Sequence, residues 1–280
     1  MDCPFDVPLD QPLPDLGAWT AHFLAAQIPV LASTAESLEA LRAREDEVDA
    51  NLIGEMVAGD PLMTLRVLSH AAANRSPRML TDTGTVTAAI VMMGITPFFS
   101  AFGPPPTVED RLREYPAALA GIQAVLRRSH RAATFAIGFA VHRMDPDAAL
   151  VHQAALLHDF AELLLWCHAP TLALELKRLQ RTDRALRSSV AQRCVLKVEL
   201  GDLQQALMRA WRLHALLIKT ADERHAEHPS VRTVALAVRV ARHSAQGWDN
   251  AALADDFSDI ATLLNLSVGA ARHFVHDIGA

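Results

Sequence analysis

The sequence predicts an all-α protein of two packed helical lobes. Hydrophobic residues make up 51% of the 280 residues and the chain contains only 12 glycines, so it can bury a substantial core in regular structure. Apolar residues recur at helical spacing, whereas the strand-type alternation of Val, Ile, Thr and aromatic residues is nearly absent. Alanine, leucine and arginine, which favour helices, are frequent throughout the chain.

The first lobe is predicted over residues 20–106, after an extended, proline-rich leader at residues 1–19. A helix should begin near Leu16 and end before Pro29. The next helix is predicted by the capping box Ser33-Thr34-Ala35-Glu36, in which Ser33 is the N-cap and the glutamate returns the hydrogen bond.

Two further helices of the first lobe carry clear terminal signals. Asp60 should cap a helix that has Pro61 at its first position, because an aspartate accepts hydrogen bonds from the free N–H groups there and proline lacks one. Residues 86–93 form an apolar run that Gly94 should end, since glycine is the usual residue just past a helix.

The strongest break in the chain is Gly103-Pro104-Pro105-Pro106, which predicts a subdomain boundary or a stiff linker. The second lobe is predicted over residues 107–246, and residues 247–280 should form C-terminal packing helices. Beyond the break, helices are expected at about 108–124, 125–143, 147–166, 169–180, 184–192, 198–211, 212–225, 229–246 and 258–278.

Charge and hydropathy restrict the expected partners and location. The net charge of -6 is unlike the basic field of most nucleic-acid-binding proteins, so nucleic acid is not an expected partner. No apolar run approaches membrane-spanning length and no secretory signal precedes the fold, so a cytoplasmic protein without membrane contact is expected. The scattered cysteines Cys3, Cys167 and Cys194 should be free thiols.

The most informative stretch for chemistry is His158-Asp159, which follows an apolar run and is predicted late in a helix that starts near Asp147. His130 lies one helix upstream. In a helical hydrolase, such residues supply nitrogen and oxygen ligands to a metal that activates water. The downstream helix offers Arg242 rather than a further carboxylate, and an arginine cannot ligate a cation.

Two interpretations of this pattern stay open. His130, His158 and Asp159 could hold a metal ion, or they could hydrogen-bond to one another as a polar cluster that pins two helices. Neither a Ser-His-Asp set nor a Cys-His set can be assembled from the spacing of the sequence, so no catalytic nucleophile is predicted.

Several motifs, taken in order, resemble the HDOD domain over about residues 20–245. The segment at 85–95 resembles the family's helix that ends in a leucine-glycine turn, with Met93 in place of the leucine. The segments that carry the resemblance are 28–31, 60–68 followed by Asn74, 85–95 and 129–160.

The resemblance implies an all-α, HD-like fold and a role in bacterial signalling output. HDOD domains are similar to HD-type phosphohydrolases and to cyclic-dinucleotide phosphodiesterases with an HD-GYP motif, and most members are taken to lack the full metal site. This sequence matches the HD pattern at His130, His158 and Asp159. It departs from that pattern where later ligands would fall, near Leu200, at Arg224-His225 and near Arg242.

We therefore expect a non-catalytic regulatory protein that recognises a signalling protein or a small nucleotide-like ligand. The expected ligand site is a cleft between the lobes lined by His130, His158 and Asp159, and neither a metal nor another cofactor is expected. The alternative is a metal-dependent phosphohydrolase acting on a nucleotide or cyclic dinucleotide, in which the same three residues hold Fe, Mn, Zn or Mg. A regulator linked to nucleic acid is a third hypothesis.

Overall fold

The fold is all-α, as the sequence predicts. The structure is a computed structural model that describes residues 7–74, 84–183, 185–222 and 227–279. Within these ranges the chain forms α-helices, one short 3₁₀ helix at Glu45–Glu47 and an isolated parallel bridge between Val30 and Thr107. The helices are α1 (Leu16–Ala25), α2 (Ala32–Arg42), α3 (Ala50–Ala58), α4 (Pro61–Ala73), α5 (Val86–Met93), α6 (Ile95–Ala101), α7 (Val108–Arg111), α8 (Pro116–His142), α9 (Ala148–Leu156), α10 (Phe160–His168), α11 (Pro170–Thr182), α12 (Ser188–Leu196), α13 (Leu200–Ala210), α14 (Ala215–Thr220), α15 (Pro229–His243), α16 (Leu253–Leu264) and α17 (Val268–Ile278).

The chain divides into two compact units whose bounds differ from the predicted domains. The first unit contains the described residues up to Val125 together with Phe160–Leu213, and the second contains Leu126–Asp159 and the described residues from His214 onward. The proline segment at 103–106 therefore lies within the first unit rather than at its boundary.

Backbone hydrogen bonds explain why the proline segment belongs to the first unit. The Val30 N–H donates to the carbonyl oxygen of Pro106 at 3.0 Å, and the Val108 N–H donates to the carbonyl oxygen of Val30 at 2.8 Å. These two bonds hold the end of the segment against the residues that precede α2.

Asp60 caps α4 as predicted and also helps to begin α2. Its Oδ1 accepts hydrogen bonds from the N–H groups of Leu62 at 2.8 Å and Met63 at 3.2 Å, while its Oδ2 accepts one from Leu31 at 2.8 Å. The Asp60 side chain is fully buried. Burial raises the pKa of this carboxyl, and the hydrogen bonds from Leu31 and from the Thr34 side chain act in the opposite direction.

The predicted capping box at 33–36 is wrong. Helix α2 begins at Ala32, with Leu31 as its N-cap and without a hydrogen bond from that cap's side chain. Instead, the Ala32 N–H donates to Oε2 of Glu109 at 2.8 Å. The helix starts earlier than predicted because side chains distant in sequence satisfy its first N–H groups.

Four predicted helices are divided differently in the structure. The helices expected at 108–124 and 125–143 are instead short α7 and the continuous α8, which starts at Pro116, a residue suited to the first helical position. The helix expected at 147–166 is broken between α9 and α10. The helix expected at 258–278 divides into α16 and α17 at Asn265, whose φ of 54° lies in the left-handed region.

The segment Ala148–His168 corrects the expectation that no apolar run reaches membrane-spanning length. It has the length and composition of a membrane-spanning helix, but 67% of its most apolar window is buried inside the protein. This burial is typical of core helices. Its last turns contain Cys167, a fully buried free thiol whose pKa burial raises to about 12. Cys194 is also free and is exposed, and Cys3 lies outside the described residues.

Close packing in the first unit is clearest where α8 contacts α10. A Cβ atom built on Gly121 would lie 2.5 Å from Cη2 of Trp166 and under 3 Å from two further atoms of that ring. The absence of a side chain on Gly121 therefore allows the indole ring to lie directly on the backbone of α8.

Candidate functional site

His158 and Asp159 lie in the turn between α9 and α10, not late in a helix as predicted. Helix α9 ends at Leu156, and the His158 N–H donates to the carbonyl oxygen of Ala155 at 3.3 Å, which tightens the backbone into a turn. Both residues belong to the second unit, as does His130 on α8. All three predicted ligand residues therefore come from one unit, whereas the prediction placed them in a cleft between two lobes.

The carboxylate of Asp159 forms an ion pair with Arg128, a residue of α8. Nε and Nη2 of Arg128 each lie 2.7 Å from Oδ2 of Asp159. Nδ1 of His158 is 3.0 Å from the other carboxylate oxygen, Oδ1. Nη2 of Arg242, on α15, lies 3.8 Å from the same Oδ1. Both oxygens of the carboxylate are thus engaged by groups of the protein itself.

These neighbours determine the ionisation of Asp159. Burial alone would raise the pKa of this carboxyl, but the hydrogen bond with His158 and the charges of Arg128 and Arg242 hold its pKa far below the usual range. The Asp159 side chain is only 13% exposed. It is therefore a half-buried carboxylate that is ionised at neutral pH and is stabilised by its protein partners.

His130 is not brought into a metal-binding group with His158 and Asp159. In the described part of the chain, no set of three or more His, Cys, Asp or Glu side chains is arranged to hold a metal ion. Arg128, two residues before His130 on α8, is paired with Asp159. Burial lowers the pKa of His152, and the electrostatic interaction with His130 lowers it further.

The donor set around Asp159 does not fit a divalent metal. A metal site needs neutral or anionic ligands with free lone pairs, whereas the carboxylate here is engaged by two guanidinium groups. Arg242, which the sequence places near the expected last carboxylate, adds a positive charge that repels a cation. The sequence also departs from the HD pattern at two other places. Leu200 is the first residue of α13 in the first unit, and Arg224-His225 lies outside the described residues.

Sequence reasoning missed the role of Arg128. The signal was available, because Arg127-Arg128 directly precedes the Ser129-His130 pair. Arg131 continues the same helix face one turn later, and its Nη2 donates to Oγ of Ser244 at 2.8 Å. This face of α8 therefore contacts both the His-Asp turn and the end of α15 through arginines.

Known structures share this fold. The MmoQ response regulator from Methylococcus capsulatus str. Bath superposes with a TM-score of 0.66 at 17% identity, over 90% of this chain and 99% of that one. A virulence factor from Campylobacter jejuni subsp. jejuni gives a TM-score of 0.62 at 15% identity, over 95% of this chain and 98% of that one. None of the curated proteins matches this chain significantly.

The family assignment follows from the sequence itself. The model of the HDOD domain matches residues 28–227, which include α2 to α14, the His-Asp turn and Arg128. Because this match covers more than half of the chain, and because the all-α fold agrees with it, the protein belongs to the HDOD domain family.

Proposed function

We propose that this HDOD protein is a non-catalytic regulatory component of bacterial signal transduction. It would act in the cytoplasm by recognising a signalling protein or a small ligand. The observation that carries this proposal is the ion pair between Asp159 and Arg128, with both nitrogens 2.7 Å from Oδ2. This pair uses the carboxylate that metal-dependent hydrolysis would require.

The charges around Asp159 also support a non-catalytic role. Asp159, Arg128, Arg242 and His158 are called the Asp159 cluster below. Arg128 and Arg242 bring two positive charges to the single negative charge of Asp159, so a divalent cation would enter against a net positive field. Binding of the metal would also require the Arg128 pair to break. Breaking a largely buried pair leaves a guanidinium uncompensated, which is costly.

The proposed contact residues for a partner or ligand remain His130 and His158, with Asp159 as the residue that positions His158. The His158 side chain is 21% exposed, and its Nδ1 is engaged by the carboxylate, so its ring is held in one orientation. A fixed imidazole offers one ring nitrogen for recognition without a metal.

The solved structures that share this fold include a signalling protein. One relative is a response regulator, and this chain covers 99% of its length. At 17% identity the likeness establishes the fold alone, so the regulatory role of this chain is inferred from its family and from its own Asp159 cluster.

Metal analysis tests the proposal. The full-length protein, purified without chelators and without a metal-affinity tag, should contain no stoichiometric Fe, Mn or Zn. It should also fail to hydrolyse bis-p-nitrophenyl phosphate or a cyclic dinucleotide when Mn²⁺ is added. A stoichiometric metal that is lost in both His158→Ala and Asp159→Ala, together with hydrolysis, would instead establish the phosphohydrolase alternative.

A further inference from the structure

A concave site in the first unit lies between α1, α4 and the proline segment at 103–106. Its cavity volume is about 590 Å³, which is within the range of small-molecule sites. The site is distinct from the Asp159 cluster, so an inference about it goes beyond the proposed function. Its lining includes three aromatic and three polar side chains, namely Phe23, Phe102, Trp211, Arg66, Ser69 and His70.

Arg66 is a charged group without full compensation in this site. Its Nη1 is buried and makes no hydrogen bond to any part of the chain that the structure describes. Burial lowers the pKa of Arg66, and the charge of Asp60 acts in the opposite direction. The carboxylate oxygens of Asp60 already accept hydrogen bonds from backbone N–H groups of Leu31, Leu62 and Met63.

An incompletely bonded guanidinium is costly to keep in a folded protein. The ring of Phe102 compensates part of this cost, because the guanidinium carbon of Arg66 lies 5.8 Å from its centroid. A cation–π contact satisfies none of the N–H donors. The shielded Nη1 atom is not reached from the cavity, but Arg66 lines the cavity. The positive charge of Arg66 is therefore the feature that favours an anion at this site.

His70 adds a second polar group beside Arg66. The two residues are four apart on α4 and so lie on one face of the helix. The His70 ring is edge-on to Phe102, with 5.2 Å between the centroids. Burial and the charge of Arg66 both lower the pKa of His70, so near pH 7 it is a neutral imidazole that can donate or accept a hydrogen bond.

The apolar wall of the site is fixed before any ligand arrives. Nη2 of Arg42 donates to the carbonyl oxygen of Phe102 at 2.7 Å, and Phe102 is buried. The bond from Val30 to Pro106 holds the far end of the proline segment. A preformed wall lowers the entropic cost of binding.

We propose that this site binds a small organic anion with a single carboxylate or phosphate group. That group would lie against Arg66 and His70, and a planar or apolar body would pack against Trp211 and the proline segment. The anion follows from the positive charge of Arg66, the apolar body from Trp211 and the proline wall, and the size from the cavity volume of about 590 Å³.

Binding of four simple probes to the full chain tests both halves of this proposal. Phenyl phosphate and benzoate carry a ring and an anionic group, inorganic phosphate lacks the ring, and benzyl alcohol lacks the charge. Titrations followed by ligand NMR at pH 7.5 should show saturable binding of phenyl phosphate, benzoate or both, and the better of these two identifies the preferred anion. Inorganic phosphate and benzyl alcohol should bind at least about tenfold more weakly, since each lacks one set of contacts.

Variants of Arg66 locate the site. Arg66→Met preserves the length of the side chain without the charge, and it should weaken the ring-bearing anions by about tenfold or more. Arg66→Lys should retain part of the affinity. Arg113→Met, the same substitution at an exposed arginine paired with Asp110, is the matched control and should bind as the parent does. Ala73→Leu, which narrows the cavity, should weaken both ring-bearing probes.

The melting temperature separates a binding role from a structural one. Arg66→Met should keep a cooperative melt close to that of the parent, because Met fills the same space and Asp60 keeps its hydrogen bonds from Leu31, Leu62 and Met63. The proposal is overturned if neither ring-bearing anion binds the parent saturably, or if Arg66→Met binds them as tightly as Arg113→Met. Should Arg66→Met fail to fold, Arg66→Lys and Ala73→Leu decide, and unchanged binding in both would equally overturn it.

Discussion

Nε and Nη2 of Arg128 both lie 2.7 Å from Oδ2 of Asp159, although the two residues are 31 positions apart in sequence. Charge-assisted hydrogen bonds of this kind are stronger than neutral ones. Since Arg128 is on α8 and Asp159 follows α9, the pair fixes the turn that carries His158 against a neighbouring helix. The His-Asp pair is thereby part of the packing of the second unit.

The first prediction concerns the stability that this pair provides. Asp159→Asn removes the negative charge and leaves Arg128, whose side chain is 19% exposed, without its anionic partner. The free energy of unfolding at pH 7 should fall by about 1–3 kcal/mol, measured by chemical denaturation. Asp249→Asn, at an exposed position, is the control and should change it by less than about 0.5 kcal/mol. Equal losses in the two variants would show that the Asp159 pair adds nothing.

The second prediction is the pH dependence of this effect. The pKa of Asp159 is lowered in the folded state, so its contribution is complete above the unfolded pKa of about 4 and is lost as the pH falls below it. The difference in unfolding free energy between the parent and Asp159→Asn should be constant from pH 5 to 7. Below about pH 4 it should shrink by up to about 1.4 kcal/mol per pH unit. A difference that persists unchanged at pH 3 would contradict the lowered pKa.

The third prediction compares two glycines in helices. Gly121→Ala would place a Cβ 2.5 Å from the Trp166 ring, and overpacking of this kind costs about 1–3 kcal/mol. A Cβ added to Gly201, at the start of α13, would meet no neighbouring atom within 4 Å, so Gly201→Ala should be neutral or stabilise by up to about 1 kcal/mol. The melting temperature should therefore fall for Gly121→Ala, and it should stay the same or rise for Gly201→Ala. A Gly121→Ala variant as stable as the parent would mean that the Trp166 ring can move aside at little cost.

The fourth prediction compares two helix caps. Asp60→Ala leaves the N–H groups of Leu31, Leu62 and Met63 without their acceptor in a buried environment, and the free energy of unfolding should fall by about 3 kcal/mol. Asp49 caps α3 from an exposed position through one bond to Leu52. Asp49→Ala should therefore cost only about 1 kcal/mol. Urea denaturation of both variants gives the comparison, and a smaller loss at Asp60 would show that water replaces the carboxylate there.

Local signals in the sequence were sufficient at the start of α4 and the end of α5. Asp60-Pro61 begins α4 as predicted. Gly94, with a φ of 84°, ends α5 at Met93 as predicted, because that backbone conformation is one that glycine adopts readily. The same logic failed at α2, whose first N–H groups are satisfied by Asp60 and Glu109. Such partners are set by tertiary structure and leave no pattern near Ser33.

The candidate site shows the same limit. The sequence identified His158 and Asp159 as the informative pair. It revealed neither the turn that holds them nor Arg128 as the partner of Asp159. Which residue of α8 meets Asp159 depends on how the helix is rotated about its axis. That rotation is decided by packing along all 27 residues of the helix. The anion site around Arg66 was also missed, since it combines residues of α1, α4 and the proline segment that are far apart in sequence.

The bridge between Val30 and Thr107 joins two points of the backbone that are far apart in sequence. The chain enters α2 and leaves the proline segment at adjacent points of the backbone. Residues 31–106 therefore form a long inserted segment, called the excursion here, whose two ends lie side by side. Length changes inside such an excursion leave the path into α7 unaltered, provided that Val30 keeps its bonds to Pro106 and Val108. A segment of different length placed between Val30 and Thr107 should therefore join the rest of the first unit at the same two points, just as adjacent ends make insertion and permutation tolerable elsewhere.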